Sequence, residues 1–359
     1  IDIAVICAGT NQVAVLINSS DTVPPGSPQN LTADGANPSP WTADSIFTLN
    51  WINPAEPSGI KRSLYKLSNP PAGNFDTTGT LSAIAPDSVT ATVSGGQVLY
   101  LWLEDNIGNL DYHNHAAVSL RYDSIPPAGS IASAPGYSNS PSFTVSWTAG
   151  SDAGGAGLTG RYDIRVRDGG NPWSTWLNDY AGLSANFNGI DGHQYFFEAA
   201  SRDSAGNIEN LTGAPECSTI VDTTRPYVAS TVPAAGDTGI APNSNITVIF
   251  SERMDPATIV NANFIVAGSQ SGTHAFSLSY NPDNYPAYLD PAVDFSQRET
   301  VTVTVRQLVQ DRTGNQMTAD RVWTFRIGTL VDTLGPVTSS GNIFPNPCEP
   351  IANLALSAF

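Results

Sequence analysis

The chain has 359 residues, 40% of them hydrophobic, which is too long for one core and too apolar for disorder. Charged residues make up only 13%, but 32 Asp and Glu stand against 15 Lys and Arg, a net charge of −17 that excludes nucleic acid and anionic membrane surfaces as partners. Three cysteines, Cys7, Cys217 and Cys348, lie far apart and make neither a disulfide framework nor a Cys-x-x-Cys zinc site.

The first segment, "IDIAVICAGTNQVAVLINSSD", contains two apolar strands and a turn without the domain they should belong to. A punctuated stretch, "SSDTVPPGSP", follows it and then returns as "YDSIPPAGS", "VDTTRPYVAS" and "VDTLGPVTSS". The aligned aspartates are Asp21, Asp123, Asp222 and Asp332, and the prolines are Pro25, Pro127, Pro226 and Pro336. The interval of roughly 100 residues suits a string of domains, each with its own core, and is too long for a solenoid or a propeller blade.

Between these joints the period-2 alternation of half-buried strands dominates: "IFTLNWIN" (46–53), "FTVSWTA" (143–149) and "NITVIFSE" (245–252). One helical turn is expected at "MDPATIVNANF", where Asp255 can cap and Pro256 suits the first helical position. Each repeat then carries a turn of the form D-x-x-G-N: "DNIGN" (105–109), "DSAGN" (203–207) and "DRTGN" (311–315). Gly supplies positive φ there and Asp and Asn tolerate turn conformations, so the pentad makes a tight loop between two late strands. Short strands at this density, with two landmarks in fixed order, predict an all-β chain of tandem immunoglobulin-like sandwiches with partial β segments at both ends.

The first two repeats resemble fibronectin-type-III-like bacterial Ig domains, with Trp51 or Trp147 closing the second strand and the pentad between the sixth and seventh. The third, "PAAGDTGIAPNSNITVIFSERMDPATIVNANFIV…DRTGNQMTADRVWTFRI", resembles the bacterial Ig-like domain of S-layer and other surface proteins. Residues 1–20 resemble the closing strands of an FG-GAP/VCBS-type propeller repeat, or the last hairpin of an earlier sandwich. The expected division is 1–20, a hairpin of a preceding domain or an assembly strand; 21–122 and 123–221, fibronectin-III-like; 222–331, bacterial Ig-like; and 332–359, the start of a fourth repeat.

No catalytic constellation stands out. His113 and His115 are expected on one strand face, where metal binding with Asp111 competes with a solvated edge. Trp173, Trp176 and Tyr180 can form a sugar-stacking platform or pack around the middle strands. The acidic landmarks are the stronger candidates. The resemblance implies that the sixth-to-seventh strand loop, the second-to-third strand loop and the incoming linker share the N-terminal pole of each domain. That brings Asp21 toward Glu56 and Asp105, Asp123 toward Asp152 and Asp203, and Asp222 toward Glu252, Asp255 and Asp311. Each Asp is expected to shape an Asx turn and no cofactor is required; alternatively, three converging carboxylates hold Ca²⁺.

These features together predict a non-enzymatic, extracellular rod of a prokaryotic surface or secreted protein that spaces, scaffolds or adheres. Its expected partners are neighbouring domains or copies and a cell-surface polysaccharide or protein. Two alternatives stay open: a filament subunit joined by β-strand complementation, and accessory modules of a large secreted hydrolase. Asn18, Asn30, Asn210 and Asn245 stand in N-x-S/T sites that accept glycans only if the source cell adds them.

Overall fold

The structure is a computed structural model that describes residues 2–8, 12–18, 21–82, 86–283 and 285–329, the first two stretches as backbone alone. Two compact units form: residues up to 136 together with 142–220, and residues 137–141 together with those from 221 onward. Strands β1 (Asp2–Ala8) and β2 (Gln12–Asn18) are the expected hairpin, paired antiparallel from Asp2↔Asn18 to Ala8↔Gln12. They form a sheet of their own. What their side chains meet, and the fourth repeat with Asp332, Pro336 and Cys348, fall outside the described residues.

The first sandwich comprises β3 (Gln29–Ala33), β4 (Trp41–Thr42), β5 (Ile46–Ile52), β6 (Ile60–Leu67), β7 (Gly79–Leu81), β8 (Asp87–Thr90), β9 (Gly95–Asp105) and β10 (Ala116–Tyr122). Its two sheets run β3-β5-β8 and β4-β10-β9-β6-β7. Alternation decides what each strand buries: Phe47 and Leu49 of β5 face inward while Ile46, Thr48 and Asn50 face out. The inward set meets Leu99, Leu101 and Leu103 of β9 and Val118 and Leu120 of β10 in one core. Trp51 only partly joins it, with its indole N–H held by Asn53.

The second sandwich follows the same plan with β11 (Ala132–Ser133), β13 (Ser142–Trp147), β14 (Leu158–Asp168), β15 (Ser174–Ala181), β16 (Ser184–Asn188), β17 (Gln194–Asp203) and β18 (Cys217–Val221), while β12 (Tyr137–Ser138) falls in the second unit. One sheet is β11-β13-β16; the other contains the run β18-β17-β14-β15. Here Trp147 is buried, with its ring 6.2 Å from that of Tyr162.

In the second unit, β19 (Val228–Val232), β20 (Ile246–Phe250), β24 (Pro286–Pro291) and β23 (Phe276–Tyr280) form one sheet in that order. The facing sheet is β22 (Gly272–Thr273), β21 (Phe264–Gly268), β25 (Thr300–Val305) and β26 (Arg321–Arg326). Phe250, Val266, Val303 and Phe325 lie in the core between them. The helical turn expected near Asp255 is a 3-10 turn over Pro256–Thr258, capped as anticipated by the Asp255 side chain on Ala257 N–H, with a second over Asn261–Asn263.

Strand register sets up the poles. Ile60, the first residue of β6, pairs with Asp105, the last of β9, and Leu158 pairs with Asp203 in the same way. Each pairing lays the loop before the third strand against the D-x-x-G-N turn. In the third sandwich an isolated bridge, Met254↔Asp311, does the same.

Candidate metal centres

The three pentads adopt one geometry. Asp105 accepts the backbone N–H groups of Ile107 (3.0 Å) and Asn109 (2.8 Å) through Oδ1 and the Asn109 amide (2.8 Å) through Oδ2. Asp203 repeats this with Ala205 and Asn207, and Asp311 with Thr313 and Asn315. Gly108, Gly206 and Gly314 sit at φ 96°, 96° and 94°, a left-handed conformation that Gly adopts without Cβ strain. The final residue must be Asn because it donates twice. Its second amide hydrogen goes to the linker: Asn109 to the Asp21 carbonyl (2.9 Å), Asn207 to that of Asp123 (2.8 Å) and Asn315 to that of Asp222 (2.8 Å). One side chain thereby closes the turn and pins the linker aspartate beside it.

The second-to-third strand loop brings the third acid. Asp21, Glu56 and Asp105 gather with candidate ligand oxygens all within 4.8 Å of one another; so do Asp123, Asp152 and Asp203, and Asp222, Glu252 and Asp311. The structure thus brings together nine of the ten acids named from the sequence. Asp255 is the exception: its carboxylate is spent on the helical cap. Asp105 and Asp123 are 0% exposed and Asp203 and Asp311 2%, so each triad has a buried floor. Burial pushes the Asp105 carboxyl up, but hydrogen bonds from Asn109, Ser58 and Ile107 outweigh it and hold the group below its ordinary value of 3.8.

Oxygen donors alone suit a hard cation such as Ca²⁺, which takes carboxylate and carbonyl oxygens at about 2.3–2.6 Å. Two further details fit. Asp21 Oδ2 is shielded from solvent and accepts no hydrogen bond. At the second triad Gly155 leaves the space beside the acids open, since a Cβ there would collide with Oδ2 of Asp123 and Oδ1 of Asp152. Among the described residues no Lys, Arg or His forms an ion pair with an acid of the first two triads. Like charges at this separation repel by about 3–4 kcal/mol per pair at an effective dielectric constant of about 20. Turn N–H groups offset part of that, and a cation would offset the rest.

Ser94 escapes a reading of motifs. Its hydroxyl, on the loop before β9, donates to Asp123 Oδ1 (3.1 Å), while Ala156 N–H donates to Oδ2 (2.6 Å). Asp123 is therefore bonded from both sandwiches of the first unit. Neither loop carries a sequence signature that would announce this.

Most of the other candidates serve packing or turns. Trp176 meets Phe187 (5.2 Å) and Phe197 (5.8 Å), Tyr180 meets Trp147 (5.9 Å), and the Trp173 ring lies about 5 Å from the guanidiniums of Arg165 and Arg167. His113 and His115 do not share a strand face. Residues 112–114 form a 3-10 turn capped by Asp111, with His113 Nδ1 against Asp111 (2.8 Å) and His115 Nδ1 against the Tyr112 carbonyl (2.8 Å). Asp111 precedes the turn and is better placed to cap it than to continue a strand. Cys217 is half-buried, and burial pushes its thiol up to about 11.

Residues 222–327 match the family described as bacterial Ig-like domain. Over 218 residues, 58% of the chain, the sequence is 28% identical to Chitinase A1 of Niallia circulans, and the match spans 28% of that protein's length. Two solved structures are similar at low identity. Three N-terminal domains of the bacteriophage RB49 Highly Immunogenic Outer Capsid protein are 10% identical, covering 85% of this chain and 99% of that one at a TM-score of 0.36. Fibronectin(III)-like modules of Clostridium thermocellum CbhA are 12% identical, covering 54% and 94% at a TM-score of 0.28. The third sandwich thus matches the bacterial Ig-like domain family, in a chain of tandem β-sandwiches.

Proposed function

We propose that the chain is a non-catalytic, extracellular spacer whose joints are stiffened by Ca²⁺. The observation that carries this reading is the recurrence, at three poles, of a linker aspartate, a loop acid and a buried turn aspartate with their oxygens within 4.8 Å. A cation held there would tie each linker to two loops of the sandwich that follows it, so the joint would lose bending freedom without any new apolar contact. Asp21, Glu56 and Asp105 would hold one ion, Asp123, Asp152 and Asp203 a second, and Asp222, Glu252 and Asp311 a third. Millimolar calcium outside cells matches the weaker affinity range of extracellular modules. The test is calorimetric titration of the EDTA-stripped chain with Ca²⁺ and, separately, Mg²⁺. Saturable Ca²⁺ binding that Asp105→Asn, Asp203→Asn and Asp311→Asn each reduce supports the reading; a flat Ca²⁺ isotherm refutes it.

A second reading has its own support, the 28% identity to Chitinase A1. On that reading the sandwiches are accessory modules that hold a catalytic domain at a distance from an insoluble polysaccharide. Depletion of the chain from solution by chitin, absent with a non-carbohydrate resin, would favour it over a purely structural spacer.

A further inference from the structure

On the outer face of the second sandwich, charges pair across strands in a ladder. Arg202 of β17 meets Asp163 of β14 (2.7 Å), and Arg165 meets Glu198, its cross-strand neighbour (2.5 Å). The next rung is different. Arg167 stands opposite Phe196 rather than an acid. Its guanidinium lies 4.8 Å from the Phe196 ring centroid and 5.0 Å from that of Trp173.

The other cations of β6, β14 and β17, namely Lys61, Arg62, Lys66, Arg161, Arg165 and Arg202, all have a carboxylate within 4 Å. Arg167 has none among the described residues. Its Nε is buried without an acceptor. Among the described residues none takes a hydrogen bond from its terminal nitrogens either, and Arg167 is only half-buried.

A charge-assisted hydrogen bond is among the stronger ones a side chain makes, so a guanidinium left without a protein acceptor needs a reason. Stacking against two rings supplies part of it and also fixes the fork, lowering the entropy that a ligand must overcome to use it. Trp173 is itself held in place by its N–H on the Gly213 carbonyl (3.3 Å).

We propose that Arg167 is a binding residue for a carboxylate-bearing sugar. A carboxylate matches the fork in geometry and charge. A polyanion would be repelled by the −17 net charge, so the ligand should carry an isolated acid on an otherwise neutral body. Trp173 and Phe196 are only half-buried, and the ring surface that the Arg165 and Arg167 guanidiniums leave uncovered offers such a body an apolar contact that a charged peptide backbone uses poorly.

The test is a nuclear magnetic resonance titration of the full chain, following the Arg167 and Trp173 side-chain N–H signals. The probes are glucuronate, glucose, acetate and the tripeptide Gly-Glu-Gly. Glucuronate should shift both signals saturably and glucose should shift neither. Arg167→Gln should weaken glucuronate binding about tenfold or more, read from the Trp173 signal, and Arg167→Lys, which keeps charge without the fork, should weaken it less. If Arg167→Gln fails to fold, Arg167→Lys alone carries the comparison. Equal glucuronate binding by the original chain and Arg167→Lys overturns the fork; acetate or Gly-Glu-Gly binding as tightly as glucuronate overturns the sugar.

Discussion

The triads at Asp21 and at Asp123 begin from the same sequence landmark and end in different states. Asp123 is fully buried, and its two oxygens accept from Ile125, Ser94 and Ala156. Among the described residues Asp21 accepts from Val23 alone, and its Oδ2 has no hydrogen-bond partner. The cause lies in the neighbouring loop. The stretch Asp152-Ala-Gly-Gly-Ala-Gly carries three glycines and two alanines that let backbone N–H groups approach the acids, and Ala156 and Gly157 both donate there. The shorter stretch Glu56-Pro-Ser-Gly carries a proline, which has no N–H, and directs Ser58 to Glu56 and Asp105 rather than to Asp21. A linker aspartate is therefore a fastener where the adjoining loop supplies donors, and a half-satisfied acid where it does not.

The largest effect belongs to the turn that both triads share. Asp203→Ala would leave three donors, Ala205 N–H, Asn207 N–H and the Asn207 amide, without their acceptor in a buried site, at a cost of about 3–4 kcal/mol in urea unfolding. Asp105→Ala should cost a similar amount; a much smaller loss would mean that the two turns are not equivalent. Gly155→Ala comes next. Its Cβ would press on Asp123 and Asp152, for about 2–3 kcal/mol, and should abolish Ca²⁺ binding at the second triad while sparing the first.

The comparison itself is tested by matched substitutions without metal. In EDTA, Asp123→Asn should destabilise by about 1–2 kcal/mol because Asn cannot accept at both positions. Asp21→Asn should change stability by less than about 0.5 kcal/mol. Equal losses would erase the distinction drawn between the two joints.

The smallest effects are those of pH. The Asp105 pKa is lowered, so its contribution is present above the ordinary value of 3.8 and lost as pH falls through the folded value. Glu216 behaves oppositely. Burial raises it, with Glu198 and Glu209 adding to the effect, although Ala132 and Ala199 N–H groups oppose. Its contribution is full below the ordinary 4.5 and fades as pH rises through the folded value. Glu216→Gln should therefore flatten the decline in melting temperature above that range and leave the acid limb, to which Asp105, Glu104 and Glu299 contribute, unchanged.

Much of this was legible in the residues because turns and strand alternation are local. Asp, Gly and Asn at fixed offsets dictate the pentad, and Phe47 and Leu49 declare their faces without help. The triads were legible too, since strand order alone carries the two loops and the linker to one pole. What stayed hidden depends on how far a loop reaches. Ser94 finds Asp123 only because two sandwiches pack within one unit, and Ala156 reaches it because of glycines whose spacing has no motif. His113 and His115 alternate like strand residues, yet Asp111 caps a 3-10 turn and turns the segment away from extended geometry. Trp51 and Trp147 occupy matching places in sequence, but only the second is fully covered.

The central claim is that the three acid triads are cation sites that stiffen the joints. Its most direct test is the melting temperature of the EDTA-stripped chain before and after addition of Ca²⁺ at about 100 times the dissociation constant found by titration. The account predicts stabilisation of about 2.7 kcal/mol per occupied site, a rise of several degrees that Mg²⁺ does not reproduce. Superimposable melting curves with and without Ca²⁺ would contradict it.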